Sequence, residues 1–422
     1  MVVPKGKNRS RTVEKGPNRV DEASLESFIR LEAAHKGIGL PGKGTAVLAG
    51  LDYAQERLLK NQALLQFWKR HELPGRPESL VASPRPRHYR TTSKRRCAYW
   101  INSGRQGQKN APTRIFTLGD ESALLEPAEH AAIFSALEKL LARAEFARLA
   151  RALNFVIIRG SYEEFMVIFN LQALDRELHR LLLKAVALLR GLDVNVMAAF
   201  LFLDPSRSPY YLESDRPRGA FPNKKLFGPE RFRLRLGADV FAVPPFSFSQ
   251  VNESILPRLL ENVQAMTAGE NGGRLLDLYC GYGLFSLSLR DRYREIIAVD
   301  AAEGSIRAGH DMLPRLPGRA RIHFRTAAIS RNSLAGALPP PLAPGEEDVI
   351  LDPPRHGADG VVIRSIARRR PGRVLHLFCS SEEIPGALAH WRQCGYFVRR
   401  VVALDMFPGT PQLETLVLLS PA

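Results

Sequence analysis

LLDLYCGYGLFSLSL (residues 275–289) decides the architecture of the carboxyl-terminal half. An apolar run stops at a turn holding Gly281 and Gly283 and passes into a segment with apolar residues at helical spacing, the order strand, turn, helix. Glycines there let the backbone take unusual dihedrals and approach a ligand closely. EIIAVD follows at 295–300, so Asp300 ends the next strand, 17 residues after Gly283. That is about the spacing at which an acid accepts hydrogen bonds from ribose hydroxyls. A phosphate-rich nucleotide fits less well, because Ser286 stands where the phosphate-binding Gly-x-Gly-x-x-Gly needs its third glycine. An S-adenosyl cofactor fits better.

Outward from this loop the same rhythm continues. Strands are expected at 274–280, 295–300, 321–325, 348–352, 373–379, 396–404 and 413–419, with helical segments between the first five. That alternation predicts a parallel sheet covered on both faces. The last two strands are separated only by a loop, which predicts an antiparallel pair at one edge. LPPPLAP (338–344) reads as an extended loop before a strand. In VILDPPRHG, Asp352 ends the fourth strand and a rigid Pro-Pro turn follows. Cys379 closes the apolar run VLHLFC, at the strand end where open α/β sheets bind ligands. Glu414 lies 35 residues further on, inside LETLVLL. A thiol and a carboxylate so placed suggest covalent catalysis on a bound substrate; a buried structural cysteine is the plainer alternative.

The 422 residues are enough for two or three domains, and 45% hydrophobic with 24% charged residues is a globular composition. No apolar run reaches the length of a membrane span, and the amino terminus has no apolar signal core, so a cytoplasmic protein is expected. Four cysteines, none in a CxxC pair, argue against a disulfide framework or a metal site. The net charge of +17 makes nucleic acid the first candidate partner, ahead of an acidic membrane surface. Residues 1–20 carry six Lys/Arg against Glu14 alone, and 1–45 reads as a basic, disordered arm. Residues 46–235 read as an α+β RNA-binding or substrate region and 236–422 as the doubly covered sheet. Helices are expected at 51–71, 127–150 and 172–190, a hairpin at FVIIRG-SYEE-FMVIFNL, and a loop-rich connector at 204–231. From Ser79 to Gly119 there is no acidic residue and there are nine Lys/Arg. Within it Arg85, Arg87, Arg90, Lys94, Arg95 and Arg96 interleave with Tyr89, Tyr99 and Trp100. Cations for phosphates and aromatic faces for unstacked bases are what single-stranded or looped RNA requires. A charged, solvated strand edge is the alternative.

Taken in order, SFSQVN (247–252), DLYCGYG (277–283), DPPR (352–355), the strand-end Cys379 and DMFPGTPQLETLVLL (405–419) resemble the bacterial RNA uracil-5 methyltransferases. The resemblance implies a class I methyltransferase domain: a Rossmann-like, seven-stranded sheet with an antiparallel terminal strand pair. It implies S-adenosylmethionine as cofactor, held by Gln250, Tyr279, Gly281, Gly283, Asp300 and Asp352, and tRNA or rRNA as substrate. It also implies Cys379 as the nucleophile that adds to carbon 6 of uracil, and Glu414 as the base for the carbon-5 proton. With only Cys97 in the amino-terminal half, no iron–sulfur cluster of the kind some relatives carry is expected; a monomer is. The chain departs from the family pattern at Ser380 and Ser381, where Asn-Pro is usual, at Leu284 and at Gln412. Those departures keep two other readings open: an RNA-binding protein that has lost catalysis, or an RNA methyltransferase with another target such as cytosine carbon 5.

Overall fold

The computed structural model describes residues 23–42, 44–97, 124–208, 212, 223–267, 272–330 and 333–422. The basic stretch 1–20 and the aromatic pair Tyr99 and Trp100 lie outside the described residues.

The chain opens on two packed helices, α1 (Leu25–His35) and α2 (Tyr53–Arg70). Ser24 caps α1 by accepting from the Ser27 amide at 3.2 Å, and Ile29 is fully buried. This corrects the expectation of a disordered arm through residue 45. Behind the basic first twenty residues, Leu25, Phe28, Ile29 and Ala33 recur at helical spacing, and their burial outweighs the local charge.

Five strands follow: β1 (Thr92–Arg96), β2 (Leu153–Gly160), β3 (Phe165–Leu171), β4 (Val196–Leu203) and β5 (Asn223–Phe227). They form one sheet in the order β1-β2-β3-β4-β5. The expected hairpin is β2–β3, antiparallel from Leu153↔Leu171 to Gly160↔Phe165. Inside the expected connector 204–231, β5 pairs antiparallel with β4, because Leu226 and Phe227 pack against the sheet's helical layer. The helix expected over 127–150 stops at Leu141; a single 3-10 turn (Ala144–Phe146) and a short helix (Ala147–Ala152) complete it. With the helix Arg176–Arg190 it covers one face of the sheet through Phe134, Leu137, Phe169, Leu181 and Leu189. A short hairpin, β6 (Phe232–Leu236) and β7 (Asp239–Val243), leads into the last unit.

That unit is a seven-stranded sheet of β8 (Gly272–Leu278), β9 (Tyr293–Asp300), β10 (Arg321–Thr326), β11 (Glu347–Leu351), β12 (Arg373–Phe378), β13 (Tyr396–Leu404) and β14 (Glu414–Pro421). The order is β10-β9-β8-β11-β12-β14-β13; β8 to β12 run parallel and β14 is antiparallel to both its neighbours. All seven expected strands are present. The order reverses between β8 and β11, and such a switch point opens a crevice at the carboxyl ends of the strands.

The two sheets are not separate bodies hung on a linker. One continuous apolar cluster joins Ile157, Met166 and Phe200 of the first sheet to Phe246, Leu275 and Leu404 of the second. Another joins Ile29, Leu64, Phe67 and Trp68 of the helical pair to Leu276, Val349 and Val401. After α2 the chain runs along the β13 edge, where Val81 bridges Leu404 and its amide bonds the Ala403 carbonyl at 2.9 Å. It then crosses to Asn252 through a bridge at Arg90. Residues 25–90 therefore complete the carboxyl-terminal core before the first sheet begins.

Candidate active site

Register gathers the candidate residues at one end of the seven-stranded sheet. Leu278 pairs with both Val299 and Leu351, so Tyr279, Asp300 (the last residue of β9) and Asp352 lie together at the carboxyl ends of β8, β9 and β11. Phe378 pairs with Thr415 across the antiparallel β12–β14 ladder. One step further, Cys379 stands opposite Glu414. The reversal of β14 brings its first residue to the end where the parallel strands finish, which places a residue 35 positions away beside the thiol.

The loop after β8 is built by three dihedrals that L residues rarely adopt, at Tyr279 (φ 64°), Gly281 (φ 55°) and Gly283 (φ 86°). A Cβ on Gly283 would lie 2.6 Å from the Phe324 ring; one on Gly281 would meet nothing within 4 Å. Gly283 is thus a packing requirement and Gly281 faces open space. The Asp300 carboxylate fastens the loop from β9: Oδ2 accepts from the Gly281 amide at 2.9 Å and Oδ1 from the Ala302 amide at 2.7 Å. A carboxylate has about four acceptor sites, and the backbone amides of Gly281, Ala301 and Ala302 face this one. Asp277, fully buried, accepts the Ser286 amide at 3.0 Å and its hydroxyl at 2.5 Å, which ties the helix Leu284–Ser288 to β8. Ser286 is therefore an anchor, and its amide is spent inside the protein.

The electrostatics of the crevice are dominated by acids. Burial pushes Asp277 up to about 6, and burial with the charges of Asp277 and Asp300 pushes Asp352 up to about 7. Cys379 is half-buried; its thiol is pushed up to about 12 by desolvation first, then by Glu414 and Asp352. Glu414 is 1% exposed, and neither carboxyl oxygen has a hydrogen-bond partner among the described residues. Its burial, with Asp352 nearby, raises it well above the usual carboxylate range. Arg355, in the turn after Asp352, pulls both Cys379 and Glu414 the other way. A buried, unbonded carboxyl costs stability and marks a working group. Arg355 is the site residue that sequence reasoning passed over, although it stands inside DPPR.

Gln250 lies half-buried in a segment that Arg159 clamps from β2: the buried guanidinium donates to the carbonyls of Pro245 (2.7 Å) and Ser247 (2.5 Å) and to the Ser249 hydroxyl (2.6 Å). The Ser305 hydroxyl donates to Ser247 Oγ at 2.8 Å and joins this segment to the helix following Asp300. Arg159 was equally unforeseen, because nothing local distinguishes it from other arginines in strands.

The basic stretch divides. Tyr89 is 1% exposed and donates its hydroxyl to the Pro408 carbonyl at 3.1 Å, so it is no stacking platform for a base. Arg87 donates to the carbonyls of Leu48, Ala49 and Leu51 and pairs with Glu56 at 3.0 Å. Arg95 pairs with Glu126 at 2.8 Å and lies 3.9 Å over the Phe134 ring. These three are corrected from RNA contacts to internal anchors; the segment threads between α2 and the sheet, and its cations meet partners far off in the chain. Arg85 stacks 4.3 Å from the Tyr162 ring centroid and is half-buried, while Arg90, Lys94 and Arg96 are exposed. Among the described residues no helix is long and apolar enough to cross a membrane, and no group of three or more His, Cys, Asp or Glu could hold a metal ion.

Comparison with known proteins agrees with this geometry. Residues 239–313 match the family model for tRNA (uracil-5-)-methyltransferases. Over that region the chain is similar to the RNA uracil-5 methyltransferases. It is 36% identical over 184 residues to a 23S rRNA (uracil(1939)-C(5))-methyltransferase of Pseudomonas putida, covering 41% of this chain and 37% of that protein. To the corresponding protein of Alkalilimnicola ehrlichii it is 33% identical over 175 residues, 41% of this chain and 38% of that one. An RNA methyltransferase of Thermotoga maritima is 30% identical over 200 residues, 47% of this chain and 44% of the relative. The matched region thus spans about half or less of these relatives. A tRNA (uracil-54, C5)-methyltransferase of Pyrococcus abyssi, solved with S-adenosyl-L-homocysteine, shares the fold at a TM-score of 0.62, with 19% identity over 90% of this chain and 86% of that one.

Proposed function

We propose that this protein methylates carbon 5 of a uridine in structured RNA, tRNA or rRNA, using S-adenosylmethionine and a covalent bond from Cys379. The observation that carries the reading is that Cys379, one step beyond the Phe378↔Thr415 pair, feels the charge of the buried Glu414, whose carboxyl has no hydrogen bond among the described residues. Asp300, at the carboxyl end of β9, suits the ribose of the cofactor, and Gly281 leaves room above the loop. Gln250, Tyr279, Gly283 and Asp352 complete its surroundings. When bound, the cofactor supplies an electrophilic methyl group.

Carbon 5 of uracil is a weak nucleophile. Addition of the Cys379 thiolate at carbon 6 moves the ring electrons to carbon 5, which then forms the new carbon–methyl bond while the methyl–sulfur bond of the donor breaks and its electron pair stays on sulfur. Glu414 takes the proton from carbon 5; the electron pair so released restores the 5,6 double bond, and the thiolate leaves carbon 6. The target must leave its stack to reach the crevice, which costs roughly a few kcal/mol and favours loops. Arg85, Arg90, Lys94 and Arg96 would hold the flanking RNA, a reading that the exposure of the last three supports. A cytoplasmic location accords with such a substrate.

RNA carrying 5-fluorouridine tests the reading, since fluorine at carbon 5 cannot leave as a proton and the adduct persists. Wild type with cofactor should form a protein–RNA adduct stable to denaturing gels, and Cys379→Ala should form none. An undiminished adduct in that variant overturns the assignment. Nucleoside analysis of unmodified RNA after reaction should show 5-methyluridine; 5-methylcytidine would move the target, and cofactor binding without any product would favour a binding protein.

A further inference from the structure

The Glu414 carboxyl has no hydrogen bond among the described residues, so its place opposite Cys379 comes from the backbone that carries it. It is the first residue of β14 and pairs with Leu404, the last of β13. The intervening loop sets that register, and a slip of one residue would turn the carboxyl to the other face of the sheet.

The loop is held almost entirely by the amino-terminal segment. Lys60 and Glu56 stand one turn apart on α2, and both are fully buried, as is Asp405. Lys60 Nζ lies 2.8 Å from Glu56 and 2.7 Å from Asp405, and donates to the Phe407 carbonyl at 3.3 Å. Glu56 accepts the Gly409 amide at 2.5 Å and receives Arg87 on its other oxygen. Tyr89 bonds the Pro408 carbonyl at 3.1 Å, the Leu48 amide bonds the Gly409 carbonyl at 2.9 Å, and Asn252 bonds the Met406 carbonyl at 3.1 Å. Every residue from 405 to 409 is therefore anchored. Burying three charges costs several kcal/mol of desolvation per ion, and apolar residues of similar volume are often as stable. Stability is a poor reason for this cluster; a single fixed geometry is a better one.

We propose that Lys60 is a positioning residue for Glu414, acting with Glu56 and Asp405 to hold the 405–410 loop that delivers the carboxyl to its place beside Cys379. The proposal rests on Glu414 being the base. It makes α2, outside every family motif, a working part of the site.

The test compares Lys60→Met with Glu414→Gln in the full chain. With ordinary uridine RNA and cofactor, both variants should accumulate the covalent protein–RNA complex, with release slowed by roughly 10²-fold in Lys60→Met. With 5-fluorouridine RNA, where no carbon-5 proton need be removed, Lys60→Met should form the adduct as wild type does; a general loss of structure would abolish both. Amide exchange at Gly409 and Thr410 should quicken in Lys60→Met. Should that variant fail to fold, Tyr89→Phe removes one anchor without exposing a buried charge and should show a milder form of the same stall. Release at the wild-type rate, or unchanged exchange at Gly409, overturns the proposal. A Glu414→Gln variant that releases its RNA at the wild-type rate overturns the base assignment instead.

Discussion

Cys379 is surrounded by groups that disfavour its reactive form. Desolvation, Glu414 and Asp352 push the thiol up to about 12, and Arg355 only partly opposes them. The unliganded protein therefore holds a neutral thiol at pH 7, and its thiolate fraction rises about tenfold per pH unit below that value. Alkylation of Cys379 by iodoacetamide, followed by mass spectrometry of its peptide, should accelerate about 100-fold from pH 7 to pH 9. Asp352→Asn removes a negative neighbour and should lower the thiol pKa. Because Asp352 itself titrates near 7, the gain in alkylation rate should be small at pH 6 and grow above pH 7. A rate in Asp352→Asn equal to wild type at pH 8.5, roughly 1.5 units above the carboxyl's own titration, would show that the two groups do not interact. Cys379, Glu414, Asp300 and Asp352 were legible because each sits beside a local marker: a strand end, a Pro-Pro turn or a glycine loop. Arg355 was hidden because its influence acts through space on residues that only the sheet brings near it.

Among the elements, the glycine loop separates two roles that look alike in sequence. A methyl group on Gly283 meets the Phe324 ring at 2.6 Å and also requires φ of 86°. Gly283→Ala should therefore lower stability by about 1–3 kcal/mol, seen as an earlier urea midpoint. On Gly281 the same methyl meets nothing within 4 Å, so only the left-handed backbone at φ 55° is penalised, by about 1–2 kcal/mol. The Gly281 amide bonds Asp300, the residue proposed for the ribose, so Gly281→Ala should weaken cofactor binding in calorimetry more than its stability loss suggests. Equal stability for wild type and Gly283→Ala would contradict the contact. The strands of the seven-stranded sheet were readable within a residue or two, because fully buried parallel strands are short continuous apolar runs. Helix α1 and strand β5 were missed because their neighbours in sequence are basic or proline-rich, and their burial depends on elements elsewhere.

For the whole molecule, the charge of +17 is not one undivided RNA surface. Arg87 and Arg95 are used internally, whereas Arg90, Lys94 and Arg96 lie exposed along and just before an edge strand. Charge reversal at Arg90, Lys94 or Arg96 should weaken RNA binding for all sequences alike. It should also reduce the slope of log affinity against log salt by about one for each phosphate no longer neutralised. Fluorescence anisotropy over roughly 50 to 300 mM salt, where the Debye length shortens and exposed charges become screened, would measure it. Arg87→Ala and Arg95→Ala should instead lower the melting temperature and leave the salt slope unchanged. A full salt slope in the triple reversal would move the RNA track elsewhere.

Strand order along the chain and the glycine loop were legible in sequence alone, because each depends on residues within about ten positions of one another. Cys379 and Glu414 were singled out by a strand end and a family resemblance, and only the antiparallel β12–β14 ladder brings them together. The tertiary structure decided which basic and aromatic residues are available to RNA and what holds the Glu414 loop. Tyr89 meets Pro408 and Lys60 meets Asp405 across 319 and 345 residues of chain. Contacts that distant leave no local pattern of spacing or composition, so their partners emerge only when the chain is folded.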